Sequence, residues 1–294
     1  MRFGIRPTIL GLLLLATGMC HPLEAFAQEP AYFVTYSHDL EEPGNLEIAQ
    51  KHTGATPKDA SGFYASTLEF EYGVTAFWTT ELYLQGQTTA GDSTIFTGFR
   101  WENRVRPFMR EHRINPVLYV EYEDVNGADK SVLEVTGHDN VADFATPNAV
   151  GRAVVARTLE NRLILSSNAA GWNFSENFIA EKNLMGNPWE FGYALGASRP
   201  LALAASSHRC VFCRENFSAG VELFGGLGTR THFGTSGTSQ YAGPTLAWNL
   251  PRGPSISFSP EFGLNKNSVG VLWRANDSVE IQQVGERFRR KAAR

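Results

Sequence analysis

Phe63-Tyr64-Ala65-Ser66-Thr67-Leu68-Glu69-Phe70-Glu71-Tyr72 sets Tyr64, Ser66, Leu68, Phe70 and Tyr72 on one parity, with Phe63, Ala65, Thr67, Glu69 and Glu71 on the other. Side chains of an extended strand alternate between two faces, so this run predicts a strand between two unlike surroundings. A helix would scatter the same charges around its whole cylinder. The pattern recurs downstream. After a break at Gly73-Val74-Thr75, residues 76–86 set Trp78, Thr80, Leu82 and Leu84 against Phe77, Thr79, Glu81, Tyr83 and Gln85. Ala90-Gly91-Asp92-Ser93 is turn chemistry, and residues 94–104 then set Ile95, Thr97, Phe99 and Trp101 against Phe96, Gly98, Arg100, Glu102 and Arg104. Residues 63–104 therefore read as an antiparallel meander, charged on one face and aromatic on the other.

Toward the N-terminus, residues 31–36 (Ala-Tyr-Phe-Val-Thr-Tyr) read as a further strand, and residues 46–52 as a short one. Between them, Glu41-Glu42-Pro43-Gly44-Asn45 is a turn, since Pro fixes φ and Gly accepts a positive one. Arg2 and Arg6 precede the apolar run 9–16, and Ala25-Phe26-Ala27 offers small residues where a signal peptidase reads. Residues 1–27 are thus expected to be a secretory signal peptide. Cys20 follows Met19, a poor fit to the small residue that a lipoprotein site requires.

Toward the C-terminus the alternation continues. Leu118, Val120 and Tyr122 oppose Val117, Tyr119, Glu121 and Glu123, and Asn126-Gly127 predicts a hairpin returning through residues 131–136. Residues 137–151 read as the longest irregular stretch. Leu159, Leu163 and Leu165 oppose Glu160 and Arg162. Residues 172–183 alternate least cleanly, because Phe174, Phe178 and Ala180 share parity with Glu176 and Lys182. Residues 189–227 form a second clean block, with Phe191, Leu195 and Leu223 on one parity and Glu190 and Glu222 on the other. Leu246, Trp248 and Leu250 align, Ile256 and Phe258 oppose Glu261, and residues 269–274 and 278–284 close the series. About 12 strands result, with no domain break: a single β domain over 28–284 and a basic tail at 285–294.

Mean hydropathy is −0.22, and after the leader no apolar run reaches the ~18 residues of a membrane helix. A signal peptide on such a chain leaves a soluble exported protein or an outer-membrane barrel, whose alternation hides from hydropathy. Net charge is −4, which gives no reason to expect nucleic acid as a partner. Twenty of the 26 basic residues are Arg. The planar guanidinium suits a crowded lumen in which one cation serves several carboxylates. Tyr64, Tyr72, Trp78, Trp101, Tyr122, Trp189 and Trp248 recur near strand ends, where an interfacial girdle would place them.

In this pattern the chain resembles bacterial outer-membrane β-barrels. It also resembles functionally uncharacterised exported bacterial proteins, through Leu40-Glu41-Glu42-Pro43-Gly44-Asn45-Leu46-Glu47 and Gly98-Phe99-Arg100-Trp101-Glu102-Asn103. The resemblance implies an all-β, antiparallel up-and-down transmembrane barrel in the bacterial outer membrane, with lipid around it and no substrate specified. Such barrels usually finish on an aromatic, whereas here Phe288 is followed by a basic tail.

Three groups of residues could carry chemistry. Glu69, Glu71, Glu81, Arg100, Glu102, Arg104, Glu121, Glu123, Glu160, Arg162, Glu190, Glu222, Glu261 and Arg274 fall opposite the aromatics of their own strands. Facing a lumen, they would line a pore for small polar solutes or fill the interior as an ion-pair network, and filling is the preferred reading. Trp78, Leu82, Phe99, Trp101, Phe191, Leu195, Leu223, Ile256 and Phe258 would then face lipid. Second, Cys210 and Cys213 are expected to form a disulfide that pins an exposed loop on the outer side, remote from the 73–75 turn. A metal site with His208, and His232 as a distant fourth ligand, stays open, although no cofactor or metal is called. Third, no hydrolase motif is present: Gly234-Thr235-Ser236-Gly237 lacks the spacing of a nucleophile elbow. The reading is a narrow passive conduit or structural envelope protein. A soluble periplasmic ligand-binding sandwich and an outer-membrane lipid hydrolase are the alternatives.

Overall fold

The computed structural model describes residues 30–131, 144–186, 188–204, 210–250 and 254–285. Twelve strands form one closed antiparallel barrel: β1 (Leu46–Ala55), β2 (Phe63–Thr75), β3 (Trp78–Thr89), β4 (Thr94–Val105), β5 (Asn115–Asn126), β6 (Val155–Ala169), β7 (Trp172–Asn183), β8 (Trp189–Pro200), β9 (Phe217–Thr229), β10 (Gln240–Asn249), β11 (Pro254–Gly263) and β12 (Val271–Ile281). Each strand pairs with its chain neighbours, and β1 closes on β12 from Leu46↔Ile281 to Ala55↔Leu272. Closure leaves no strand edge, the condition for spanning a bilayer with strands. Strands of 10 to 15 residues, tilted as in other barrels, are long enough for an apolar band ~25 Å tall.

The sidedness follows the expected alternation. Trp78, Leu82, Phe99, Trp101, Leu195, Ile256 and Phe258 are exposed on the outer wall, while Glu69, Glu81, Glu102 and Glu121 are buried inside. A soluble protein would reverse this, so the sandwich alternative falls.

Several expectations are corrected. The β2–β3 turn is Ala76-Phe77, since β2 continues through Gly73-Val74-Thr75. In β4 a bulge against Gln85/Gly86 shifts the parity, so Phe96 faces out and Thr97 is buried. Gly98 sits in this bulge at φ +150, where a Cβ would lie 2.2 Å from the Asp124 carbonyl oxygen. Asn126-Gly127 does not start a hairpin onto residues 131–136, because β5 pairs with β6. Of that segment, 132–136 lie outside the described residues. Residues 278–281 belong to β12, which runs unbroken from Val271. In β7 the outward set keeps Glu176 and Lys182, and Asn173, Ser175, Asn177, Ile179 and Glu181 face in.

The largest correction is residues 31–36, which form no strand. Residues 30–44 instead enter the lumen from the end of the barrel that holds both chain ends. They descend past Ser198 and Glu222 to Tyr36, then return past Ser166 and Arg104 to begin β1. Backbone groups with no ladder partner are paired by lumenal side chains, as burial requires. The six loops at the far end include 127–154, the longest connection. The other end carries 76–77, 106–114, 170–171, 201–216 and 250–253.

Candidate functional site: a lumen occupied by the N-terminal segment

The lumen wall has two halves of different chemistry. From β1 to β6 it is crowded with charge. Arg104 on β4 meets Glu71 (2.6 Å), Glu102 (3.1 Å) and Glu81, serving three carboxylates with one guanidinium. Tyr83 places its hydroxyl against Glu81 and, at 2.8 Å, against Glu102. Arg100 grips both oxygens of Glu121 (3.1 and 3.0 Å), donates to Gln85 (2.6 Å), and lies over the Tyr83 ring. Lys51 pairs with Glu69, and Arg162 with Glu160. Unpaired, each buried charge would cost several kcal/mol, so the cations and anions must be placed together. The carboxylates of Glu121, Glu123 and Glu160 approach one another, with Arg100 and Arg162 supplying countercharge.

In the other half, β8 and the start of β9 turn small side chains inward: Ala194, Gly196 and Ser198 on β8, Ser218 and Gly220 on β9. That half would be hollow, and the N-terminal segment fills it. A Cβ on Gly196 would lie 2.5 Å from the Tyr32 ring, so glycine there is a condition of the packing. Glu222 on β9 accepts three successive backbone N–H groups, from Phe33 (2.8 Å), Val34 (3.0 Å) and Thr35 (2.7 Å). Asn177 on β7 accepts from Tyr36 N (2.7 Å) and donates to Tyr36 O (2.9 Å). Arg162 donates to Val34 O (3.0 Å), and the Tyr36 hydroxyl donates to Glu102 (3.0 Å). The segment thus bridges the two halves at Tyr36, whose ring lies 5.0 and 5.1 Å from Arg104 and Arg162.

Two cavities flank this bridge. The larger, about 440 Å³, lies between Arg100, Glu123, Arg162, Arg274, Asn126 at the end of β5, and the far-end loop residues Gly127 and Met185. The smaller, about 130 Å³, lies between Pro30, Asp39, Glu47, Glu71 and Arg104 at the end holding the chain ends. Phe33, Tyr36 and Lys51 line both and form the wall between them.

Of the other expected lumenal residues, Glu261 accepts from Ser259 (2.5 Å), Arg274 donates to Thr53 (3.3 Å), and Glu190 is half-buried near the far-end start of β8. The alternation indicated these positions and put Tyr83 and Gln85 on the same face without naming them as partners; it missed Lys51 and Tyr36. The tiny inward residues of β8 and β9 were the signal that something else must occupy that side.

The foot of the segment carries a titrating group. Burial pushes the Glu41 carboxyl from the ordinary 4.5 up to about 7, and the nearby Glu280 and Glu47 add to the rise. A raised carboxyl binds its proton more tightly in the docked state. Docking is therefore most favourable below pH 4.5 and weakens as pH rises through 4.5 to 7. Glu41→Gln should flatten this dependence in a detergent unfolding series across pH 5 to 8. Equal slopes for variant and wild type would rule Glu41 out.

Cys210 and Cys213 are joined in a disulfide with Cα atoms 5.3 Å apart, and His208 lies outside the described residues. The loop is not on the side expected. Six strands, β3 to β8, separate it from the β2–β3 turn, an even number, so both lie at the end that holds the chain ends. The loop folds against the outer wall, where Phe212 stacks on Trp248 at 4.9 Å and Trp248 Nε1 donates to Val211 O.

No family model matches the chain, and no curated protein matches it. Solved structures share its architecture. An outer-membrane channel from Pseudomonas putida F1 superposes with a TM-score of 0.54 at 9% identity, over 83% of this chain and 98% of that one. LpxR from Salmonella typhimurium gives 0.42 at 9% identity over 80% and 99%. The translocator domain of the autotransporter NalP from Neisseria meningitidis gives 0.41 at 11% identity over 82% and 90%. At these identities the likeness is one of fold, and the fold is a closed antiparallel barrel of the bacterial outer-membrane kind.

Proposed function

We propose that the protein is a narrow outer-membrane conduit for small polar solutes, held shut in this conformation by its own N-terminal segment. The observation that carries this reading is the pair of charged cavities, one toward each end, with Phe33, Tyr36 and Lys51 lining both. The longer loops of the far end support an outward orientation for it, with the chain ends and the cysteine loop in the periplasm. That compartment is oxidising, which suits the disulfide.

Solute flux tests the reading. In a proteoliposome swelling assay with small sugars and zwitterions, Phe33→Ala combined with Tyr36→Ala should swell much faster than wild type. Swelling no faster than wild type, from a correctly folded variant, would favour a structural envelope role.

A further inference from the structure

On the outer wall, among other polar positions such as Glu176 and the Arg157–Asp124 pair, one connected polar island spans β12, β1 and β2. His52 on β1 and Ser66 on β2 are directly opposed in the register and both face outward. Asp277 on β12 faces the same way and is paired in register with Gln50. His52 Nε2 lies 3.1 Å from Asp277 Oδ1, and Nδ1 lies 2.5 Å from the Tyr64 hydroxyl. Gln50 Nε2 donates to Ser66 Oγ at 3.0 Å. Ile48, Leu68, Trp273 and Val279 surround the group on the same face. A carboxylate facing hydrocarbon is costly, and this one does nothing for the lumen. Around it stand the residue types of a nucleophile, a base and an orienting acid, with His52 resting on Asp277 and Tyr64 and Ser66 resting on Gln50.

From this arrangement we infer that the island is a catalytic site that hydrolyses acyl esters of membrane lipids. Asp277 accepts the Nε2 proton and so leaves the Nδ1 lone pair of His52 directed at β2. At rest that lone pair receives the Tyr64 hydroxyl, the neighbour of Ser66 on the same face. A lipid lying against the outer wall displaces the phenol, and Nδ1 turns to Ser66. The Ser66 proton passes to His52 as Oγ bonds to the ester carbon, and the Gln50 amide faces the developing oxyanion. The bond from carbon to the alcohol oxygen breaks, and His52 returns the proton to the leaving alcohol. Water then gives a proton to His52 and its hydroxyl to the acyl carbon. The Oγ–carbon bond breaks, the fatty acid leaves, and Ser66 regains its proton. His52 and Ser66 each lie three residues from the far-end strand terminus, roughly 10 Å along the strand. That depth is close to the boundary where glycerolipid ester linkages lie and water is within reach.

The test uses the refolded full-length mature protein in detergent and in phospholipid vesicles. A serine-directed fluorophosphonate should label Ser66, Ser66→Ala should abolish labelling, and His52→Ala should slow it by about 100-fold or more. Tyr64→Phe, which frees the base, should label faster than wild type. Fatty-acid release from the vesicles should follow the same order. The inference is overturned if folded wild type and Tyr64→Phe both stay unlabelled and release no fatty acid, or if labelling survives Ser66→Ala. Ser66→Ala leaves the lumen untouched, so solute flux through the Phe33/Tyr36 variant reports separately on the conduit reading.

Discussion

Glu222→Ala is expected to open the lumen. The carboxylate is the single acceptor for the N–H groups of Phe33, Val34 and Thr35, and alanine would leave three buried donors without it. Each orphaned donor costs about 1–3 kcal/mol. A shift of only about 2 kcal/mol in a two-state equilibrium changes the open-to-closed ratio roughly 30-fold. Single-channel records in planar bilayers should therefore show the ratio of open to closed time rising by about that factor. Glu222→Gln, which keeps one acceptor oxygen, should fall between. Glu261→Gln should behave as wild type, because Glu261 holds Ser259 and makes no hydrogen bond to the segment. Wild-type-like traces from Glu222→Ala would mean that the segment is held by other contacts.

Arg104→Ala should be the most destabilising lumenal substitution. It strands Glu71, Glu81 and Glu102 around one vacated position, and removes the donor to Asp39 O as well. Breaking a buried pair from one side costs about 3–5 kcal/mol, and three carboxylates sharing one cation place this variant at the upper end. A seminative gel, in which folded barrels migrate faster than unfolded ones, should show a marked drop in unfolding temperature. Adding Glu81→Gln to Arg104→Ala should recover part of the loss, since one stranded charge disappears. If Arg104→Ala alone unfolds like wild type, water rather than Arg104 compensates the carboxylates.

The barrel was legible because period-two alternation survives local error. In residues 63–104 the bulge at Gly98 exchanges the faces of Phe96 and Thr97, yet Trp101 and Glu102 recover their sides. The cysteine loop shows the opposite weakness: one miscounted turn reverses the side to which every later loop is assigned. Residues 31–36 were unreadable for a different reason. Ala-Tyr-Phe-Val-Thr-Tyr has strand propensity and alternation, and a peptide held extended in a lumen uses the same backbone geometry as a strand. What separates the two is the identity of the hydrogen-bond partner, here Glu222 and Asn177 far along the chain. No local pattern records that. Nor does parity reveal the island on the outer wall, because His52, Ser66 and Asp277 belong to three strands and meet only when β1 closes on β12.

If the N-terminal segment is what shuts this barrel, removing it must open the lumen. Single-channel conductance of mature protein with residues 31–39 removed and β1 left intact tests this. Long-lived, ohmic openings of small unitary conductance are expected where the full-length mature protein is predominantly closed. A folded deletion variant that stays as silent as its parent would contradict it, because the charged wall alone would then close the lumen.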